Sequence, residues 1–298
     1  MHPEQQYLDS LRDILSDGEK VPNRTGVDTY RLLGLTHRYN FKDGFPLFTT
    51  KKVWMKGIVH ELLWFLSGST NIKYLVDNGV NIWNDDAYRY YKGHLEEYLD
   101  KDTWLEKIKK DEINYGDLGP VYGKQWRCFE GGNDVPGDPS VVDQIEKLTY
   151  SLKNNPTSRR HILTAWNPAE IEDMALPACH VLSQFTIMNG NKLWCQMYQR
   201  SCDMMLGVPF NVASYSLLTY MLAQVCGLEP GGFIWTGHDC HIYENHIDAV
   251  KEQLQRSQRE FPKLILDPSI KNIDDFRYEH IQLQNYDPYD SIKADLVT

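Results

Sequence analysis

The sequence predicts an α+β fold in which helices pack against a mixed or antiparallel β-sheet. Val181–Met188 and Lys192–Gln199 alternate apolar and polar residues around Asn189-Gly190, and this dipeptide supports the positive φ angles of a tight hairpin turn. Ala213–Cys226 is strongly apolar and ends at Gly227, which is typical of a helix buried near the centre of a domain. Strands combined with such a helix fit the α+β class.

The other elements follow from the same two hydrophobic periods, three to four residues for a helix and two for a strand. Ser69 or Thr70 is expected to cap a short helix that runs through Leu75. Helices are predicted over Glu4–Leu15, Val53–Leu66, Val141–Leu152 and Tyr243–Arg256, and strands over Tyr30–Tyr39 and His161–Trp166.

Two segments differ in composition from the rest of the chain. Residues 84–115 are dense in Tyr, Lys, Asp and Glu and are predicted to form a surface insertion, helical at Trp104–Lys110. Gly131–Ser140 is rich in Gly, Pro and Asp and is predicted to form a flexible loop. The last forty residues are expected to be strands and loops. Because there is neither an internal repeat nor a low-complexity linker, residues 1–298 are expected to form a single domain.

Composition restricts the class of protein. Hydrophobic residues make up 42% of the 298 residues, enough for a large core, and the net charge of −10 argues against nucleic acid as the main partner. No apolar run approaches the length of a membrane span. The six cysteines lack CxxC spacing and no signal peptide is evident, so a cytoplasmic protein with free thiols is expected. No P-loop, GxGxxG or HExxH pattern indicates a metal or a nicotinamide cofactor.

Cys179 is the candidate nucleophile. It follows Ala-Leu-Pro-Ala, directly before the first strand of the hairpin. A small buried core residue is the commoner fate of a cysteine, and that alternative applies here too. Arginines close by would favour the thiolate, which is the attacking species. His180 is adjacent on the strand and should point to the opposite face, which argues against a papain-like Cys-His pair.

Arginines near predicted element ends are candidates for binding a phosphate, because the guanidinium fork suits a phosphate dianion. Any single surface arginine is more often simply solvated. Arg159 and Arg160 lie between a helix and a strand, so one of them could reach a partner subunit. The five candidates are Arg24, Arg127, Arg159, Arg160 and Arg200.

Two polar residues each allow two interpretations. Asn211 offers an amide donor and acceptor that match the edge of uracil, but it could equally cap the helix before Ala213. Glu61 lies on an apolar helix face, where a carboxylate is costly to bury. It either sits at the edge of the core or is kept for proton transfer with a raised pKa.

Many stretches of the chain match one family in the same order, and over nearly its whole length the chain resembles the thymidylate synthase family. The matching stretches include Arg24-Thr25-Gly26, Glu61–Leu66, Gly116–Gly123, Gln125-Trp126-Arg127, Ser158-Arg159-Arg160, Cys179-His180, Gln199–Asp203, Leu206–Tyr215, Asp239–Tyr243 and Asn285–Tyr289.

This resemblance implies folate-dependent transfer of one carbon to C5 of dUMP, with 5,10-methylenetetrahydrofolate as cosubstrate and no metal. Cys179 would attack C6 of the pyrimidine and so make C5 nucleophilic. Glu61 and Tyr122 would serve proton transfers. Arg200 would favour the thiolate and help to hold the phosphate.

The resemblance also implies binding roles and a homodimer formed through one face of the sheet. The C-terminal residues would close over the site and exclude water. The phosphate would be held by Arg24, Arg200 and Ser201 with Arg159 and Arg160 of the partner subunit, the pyrimidine by Asn211, the ribose 3′-hydroxyl by His241 and Tyr243, and the folate by Lys51, Trp83, Asp203 and Thr298.

Five positions around the site and its lid depart from the family pattern. Because of them, two fates of the one-carbon unit are considered. Reductive methylation to dTMP is predicted, with dUMP hydroxymethylation as the alternative. The alternative from a different functional class is a non-catalytic protein that binds nucleotides or RNA, and the matching Cys179 and Glu61 argue against it. The departures are Ala178 and Asp290 in place of proline, His238 in place of glycine, Asn84 in place of aspartate and Thr298 in place of Val or Ile.

Overall fold

The computed structural model describes residues 2–94, 99–110, 115–130 and 141–297. The helices in these ranges are α1 Gln5–Asp17, α2 Met55–Leu66, α3 Lys73–Asp77, α4 Asn84–His94, α5 Lys101–Lys109, α6 Tyr122–Arg127, α7 Gln144–Asn154, α8 Gly207–Cys226 and α9 Ile247–Gln253. The strands are β1 Glu19–Val21, β2 Thr29–Asn40, β3 Phe129–Glu130, β4 Val141–Val142, β5 Ile162–Thr164, β6 His180–Met188, β7 Lys192–Asp203, β8 Glu229–Tyr243, β9 Lys263–Leu266 and β10 Ile281–Gln284.

A six-stranded sheet organises the fold, in the order β1-β2-β8-β7-β6-β5. Neighbouring strands run antiparallel except β7 and β8, which are parallel and joined through α8. β9 pairs with β10 and β3 with β4 in two small ribbons. The prediction of an α+β fold with a mixed, mostly antiparallel sheet is confirmed.

The two faces of the sheet differ in burial because side chains alternate along each strand. One face packs against α8, with Phe185, Met197 and Trp235 fully buried. The other face carries large exposed apolar side chains on β5, β6 and β7. We call this the open sheet face and define it by Ile162, Leu182, Met188 and Tyr198.

The strongest local patterns are confirmed. The hairpin turns at Asn189 and Gly190, with φ angles of 51° and 84°. The helix predicted from Ala213 begins earlier, at Gly207, with Pro209 in its first turn where a missing N–H costs little. Asn211 therefore lies inside α8, and the capping role considered for it is wrong.

Weaker patterns gave three errors. The long strand β8 was not predicted, since Pro230, the following glycines and Gly237 interrupt its apolar alternation. The helix predicted from Tyr243 begins only at Ile247, because Tyr243 still belongs to β8. Neither Ser69 nor Thr70 caps α3. Instead, the Asn71 side chain accepts from the backbone N–H of Lys73 at 2.9 Å.

The described parts of the 84–115 segment contain a buried cluster of aromatic rings and not surface residues alone. Trp104 is fully buried and lies against the rings of Tyr88 and Tyr91. Its indole N–H donates to the carbonyl of Tyr115 at 2.7 Å. The helix predicted at 104–110 is present as α5, which begins a little earlier. The loop predicted at 131–140 lies outside the described residues.

Candidate active site

A cavity of about 570 Å³ opens between α2, the first turns of α8 and the ends of β7 and β8. A second cavity of about 630 Å³ adjoins it and shares Arg24, Cys179 and Ser201. The fold therefore brings residues from distant parts of the sequence to one place. The predicted site residues that line the first cavity are Arg24, Lys51, Glu61, Trp83, Tyr122, Cys179, Ser201, Asp203, Asn211, His241 and Tyr243.

The other predicted residues lie elsewhere. Arg200 lines the second cavity beside Cys179. Arg159 and Arg160 are exposed before β5 and line neither of these two cavities. Arg127 is bound in ion pairs to Asp143 and Asp274, so it is structural. Thr298 lies outside the described residues.

Cys179 is held at the start of β6 by Tyr122. The Tyr122 hydroxyl accepts the backbone N–H of Cys179 at 2.8 Å and that of His180 at 3.2 Å. Burial raises the pKa of the Tyr122 phenol, so the hydroxyl stays neutral. The nucleophile's backbone is thus fixed by a side chain that itself lines the cavity.

The thiol of Cys179 faces a guanidinium. Arg200 Nη2 lies 3.8 Å from Cys179 Sγ. Burial raises the pKa of the thiol, while the positive charges of Arg200 and Arg24 oppose that shift and Asp86 adds to it. The arginines act in the predicted direction, but burial outweighs them, so the pKa of the thiol is raised and not lowered as expected.

Arg200 also orders the segment that carries the nucleophile. Its Nε donates to the carbonyl of Ala178 at 2.9 Å and its Nη2 to that of Pro177 at 2.7 Å. Ala178 is itself buried. The guanidinium thus supports the backbone at the position where the family pattern has proline.

His180 is not a partner of the thiol. Its ring packs against Tyr122 and Tyr215, each with centroids 5.2 Å away. Burial lowers the pKa of the imidazole to about 4, so it is neutral near pH 7. This arrangement agrees with the prediction that a papain-like Cys-His pair is absent.

Glu61 lies inside the cavity wall on α2, with only 6% of its surface exposed. Trp83 Nε1 donates to its Oε1 at 2.8 Å. Burial raises the pKa of the carboxyl to about 7, and the bond from Trp83 opposes that rise. Of the two interpretations, the raised pKa is the one found, and the group can take up or release a proton near neutral pH.

The amide of Asn211 is oriented by a residue that was not predicted. Gln199 Nε2 donates to Asn211 Oδ1 at 3.0 Å, and Trp235 Nε1 donates to Gln199 Oε1 at 2.9 Å. This chain fixes which end of the Asn211 amide is oxygen. Its NH₂ is then available to donate toward a carbonyl in the cavity.

His241 belongs to a second polar chain that was not predicted. Its Nδ1 lies 2.9 Å from Asp239 Oδ1, and Arg31 Nη1 donates to Asp239 Oδ2 at 3.1 Å. The hydrogen bond with His241, followed by that from Arg31, holds the pKa of Asp239 below its usual range. The Tyr243 ring lies edge-on to the imidazole, with centroids 5.2 Å apart.

The opposite end of the cavity has apolar walls and two lysines at its edge. Lys51 is buried, donates to the carbonyl of Met205, and has a pKa that burial lowers to about 8. Its neighbour Lys52 lines the same cavity and is exposed. Asp203 accepts the backbone N–H groups of Met205 and Leu206, at 2.8 and 3.1 Å, where α8 begins.

The C-terminal segment lies over the cavity, with Ile292, Leu296 and Val297 in its wall. The carbonyl of Asp295 is 2.7 Å from His246 Nε2. Farther back, the backbone N–H of Tyr289 donates to the carbonyl of Thr49 at 2.8 Å. The last described residues therefore already contribute a lid-like wall.

The remaining departures from the family pattern touch the site only indirectly. His238 is exposed on β8, outside both cavities. Asn84 begins α4 and donates to Asn81 Oδ1 at 3.2 Å. Asp290 is exposed, and its carbonyl accepts from Arg256 at 2.7 Å. Among the described residues, no group of three or more His, Cys, Asp or Glu side chains is placed to hold a metal ion.

Comparison with known proteins identifies the chain. Residues 5–298 match the model of the family described as thymidylate synthase. The thymidylate synthase of Mycoplasma mobile is 50% identical over 297 residues, covering 97% of this chain and 98% of the relative. That of Malacoplasma penetrans is 49% identical over 295 residues, with the same coverage. The chain belongs to the thymidylate synthase family, and these relatives support reductive methylation of dUMP to dTMP as its activity.

Proposed function

We propose that the cavity described above is the site of this methylation, with Cys179 as the nucleophile. The observation that carries the proposal is that a thiol, a carboxyl with a pKa near 7 and an oriented amide line one cavity. A pyrimidine ring needs these three groups if its C6 is to be attacked while its edge is held and protons are moved.

The nucleotide would bind with its phosphate toward the second cavity. Arg24, Arg200 and Ser201 line that cavity and would hold the dianion. The phosphate would also draw Arg200 toward itself. His241 and Tyr243 would contact the 3′-hydroxyl.

Asn211 would recognise uracil through its amide edge. With its oxygen held by Gln199, the NH₂ would donate to O4 of uracil. The second lone pair of the oxygen would accept from N3–H. A cytosine ring carries an amino group where uracil has O4, so two hydrogen-bond donors, this amino group and the Asn211 NH₂, would face each other.

The chemical step begins when the Cys179 thiol gives up its proton, which Glu61 would accept through water, and the sulfur forms a bond to C6 of dUMP. The electron pair of the C5–C6 double bond moves toward C5 and O4, so C5 becomes nucleophilic. Binding of dUMP would bring C6 within reach of the sulfur, beside the guanidinium of Arg200, whose positive charge favours the thiolate. Glu61 would give or accept protons at the ring through water, and Tyr122 would keep the backbone of Cys179 in place.

The rest of the cavity fits a reduced folate. Ile82, Trp83, Leu176 and Phe210 give it flat apolar walls suited to a pterin, and the lysines at its edge suit carboxylates. The family uses 5,10-methylenetetrahydrofolate, which supplies the carbon and the hydride when bound. Trp83 and Asp203 would contact the ring system, and Lys51 would hold the glutamate, although its ammonium already donates to a carbonyl.

The C-terminal segment would close this site. Leu296 and Val297 already line the cavity, and Thr298 would complete the cover. Excluding water matters because water competes with hydride for the one-carbon unit once it is attached to C5. This lid supports methylation over the hydroxymethylase alternative, which the relatives do not favour either.

A homodimer is part of the proposal. The open sheet face presents several large apolar side chains, which is unusual for a surface that stays in contact with water. Arg159 and Arg160 are exposed and line neither cavity of their own chain. We infer that two sheets pack face to face, with these arginines reaching the phosphate site of the partner.

The cytoplasm is the proposed compartment. All six cysteines are free thiols, the state that a reducing compartment maintains. Within the described residues, no helix is both long and apolar enough to cross a membrane.

Product analysis tests the proposal. The protein is incubated with dUMP and 5,10-methylenetetrahydrofolate, and the nucleotide is weighed by mass spectrometry while dihydrofolate is followed by absorbance. We expect dTMP and dihydrofolate in equal amounts. Hydroxymethyl-dUMP without dihydrofolate would support the alternative, and binding of dUMP without turnover would support a non-catalytic binding protein.

A further inference from the structure

Arg31 lies on β2 beside the proposed ribose site and belongs to none of the motifs that carry the family resemblance. The register of β2 and β8 sets it directly opposite His241. Its Nη1 donates to one oxygen of Asp239, and the other oxygen of that carboxylate lies 2.9 Å from His241 Nδ1. Arg31, Asp239 and His241 thus form one hydrogen-bonded chain, which ends on the imidazole ring that lines both cavities.

This hydrogen-bonded chain determines which nitrogen of His241 carries the proton. An ionised carboxylate only accepts hydrogen bonds, so the nitrogen beside Asp239 must be Nδ1–H. In a neutral ring, Nε2 is then left with a lone pair. A ring held in this way can accept a hydrogen bond from a hydroxyl group at Nε2.

Arg31 has a specific part in this arrangement. The side chain of Asp239 is 30% exposed, so water competes for its oxygens. An ion pair on Oδ2 fixes the plane of the carboxylate and keeps Oδ1 on the imidazole. Without that pair the carboxylate could rotate into solvent and release the ring.

We propose that Arg31 is a positioning residue for nucleotide recognition, which acts through Asp239 to hold His241 as the acceptor for the 3′-hydroxyl of the substrate. The inference rests on the proposed function, in which His241 contacts that hydroxyl. Arg31 also lines the cavity that contains Arg24 and Arg200, so a direct contact with the phosphate is the competing role that the experiment must separate.

Two ligands separate these roles. Binding of dUMP and of 2′,3′-dideoxyuridine 5′-monophosphate, which lacks the 3′-hydroxyl, is measured by calorimetry on the wild type, Arg31→Gln and Arg31→Lys. Arg12→Gln is the matched control, because it breaks a comparable Arg–Asp pair on α1, remote from both cavities. We expect Arg31→Gln to weaken dUMP binding about fivefold to tenfold while binding of the dideoxy ligand changes less than about twofold. Arg31→Lys should recover part of the loss.

Other outcomes would overturn the inference. Equal weakening for both ligands would mean that Arg31 binds the phosphate or supports the fold generally. No weakening for either would mean that it has no role in recognition. Arg31→Lys keeps the test valid if Arg31→Gln does not fold. If the wild type itself does not bind dUMP, the proposed function fails first, and that result is distinct from any difference between variants.

Discussion

Glu61 has a carboxyl group whose pKa burial raises from 4.5 to about 7. The folded protein therefore binds this proton more tightly than the unfolded chain does. As the pH rises from 4.5 through 7, the contribution of Glu61 lowers the free energy of unfolding, by about 3 kcal/mol in all. Ionisation of Glu61 thus destabilises the fold at the pH where the group can exchange protons with a substrate.

Glu61→Gln tests both aspects of this residue. The amide keeps an oxygen for Trp83 Nε1 but cannot ionise, so the variant should be more stable than the wild type at pH 8, with the difference shrinking towards pH 5. Its rate of dTMP formation should fall about a hundredfold or more. Urea unfolding at the two pH values and steady-state kinetics measure these effects.

The control for that experiment is Glu19→Gln, which changes an exposed carboxylate on β1. It should leave both the activity and the pH dependence of stability as in the wild type. An equal stability difference between Glu61→Gln and the wild type at pH 5 and pH 8 would contradict a raised pKa.

At this scale the sequence predicted which residues line the cavity more readily than how each side chain is held. The alternatives for Asn211 and Glu61 could be stated from their neighbours, but deciding between them needed tertiary contacts. Gln199 orients Asn211 only because Trp235, on another strand, fixes the far end of its amide. The pKa of Cys179 was predicted from nearby charges alone, whereas burial, which depends on the whole fold, proved the larger effect.

The C-terminal segment is the element whose removal should separate binding from chemistry. Deleting residues 291–298 removes Ile292, Leu296 and Val297 from the cavity wall but leaves the arginines and Asn211. We expect dTMP formation to fall about a hundredfold or more, because water enters the site and the folate loses a wall. Affinity for dUMP should change less than about threefold.

Lys293→Ala provides the comparison, because its side chain is exposed in the same segment and does not line the cavity. It should retain near wild-type turnover. Calorimetry gives the affinity and product analysis gives the rate. Turnover by the truncated protein at the wild-type rate would show that the segment is not a functional lid.

Elements were predictable where one local rule dominated. The Asn189-Gly190 turn and the continuously apolar sequence of α8 each follow from a single rule, and both elements are present. β8 was missed because its burial comes from two neighbouring strands, while glycine and proline interrupt its own pattern. The predicted surface insertion contains fully buried Trp104, whose ring partners Tyr88 and Tyr91 lie on α4 and whose indole N–H donates to the carbonyl of Tyr115.

At the scale of the whole molecule, the fold class was predictable and the assembly remains a proposal. A buried helix and a hairpin already indicate an α+β domain. The association of two chains depends on the open sheet face, whose exposed Leu182 and Tyr198 look in sequence like any alternating strand residues. Only the sheet register shows that they lie side by side.

Mixing two inactive variants tests the dimer. One carries Cys179→Ser, and the other carries Arg159→Ala with Arg160→Ala. If the arginines serve the partner's site, each mixed dimer contains one complete site, and random exchange of subunits should restore about a quarter of the wild-type activity. No recovery, with subunit exchange verified by mass spectrometry, would mean that the arginines act within their own chain.

The proposed chemistry depends on a covalent bond between the sulfur of Cys179 and C6 of the pyrimidine. The intact protein is incubated with 5-fluoro-dUMP and 5,10-methylenetetrahydrofolate and then weighed. The mass of the wild type should increase by the sum of the masses of both ligands, and that of Cys179→Ser should not change. Cys128→Ser is the control, because it alters another partly buried thiol, and it should gain the same mass as the wild type. An adduct on Cys179→Ser, or wild-type turnover by that variant, would rule out Cys179 as the nucleophile.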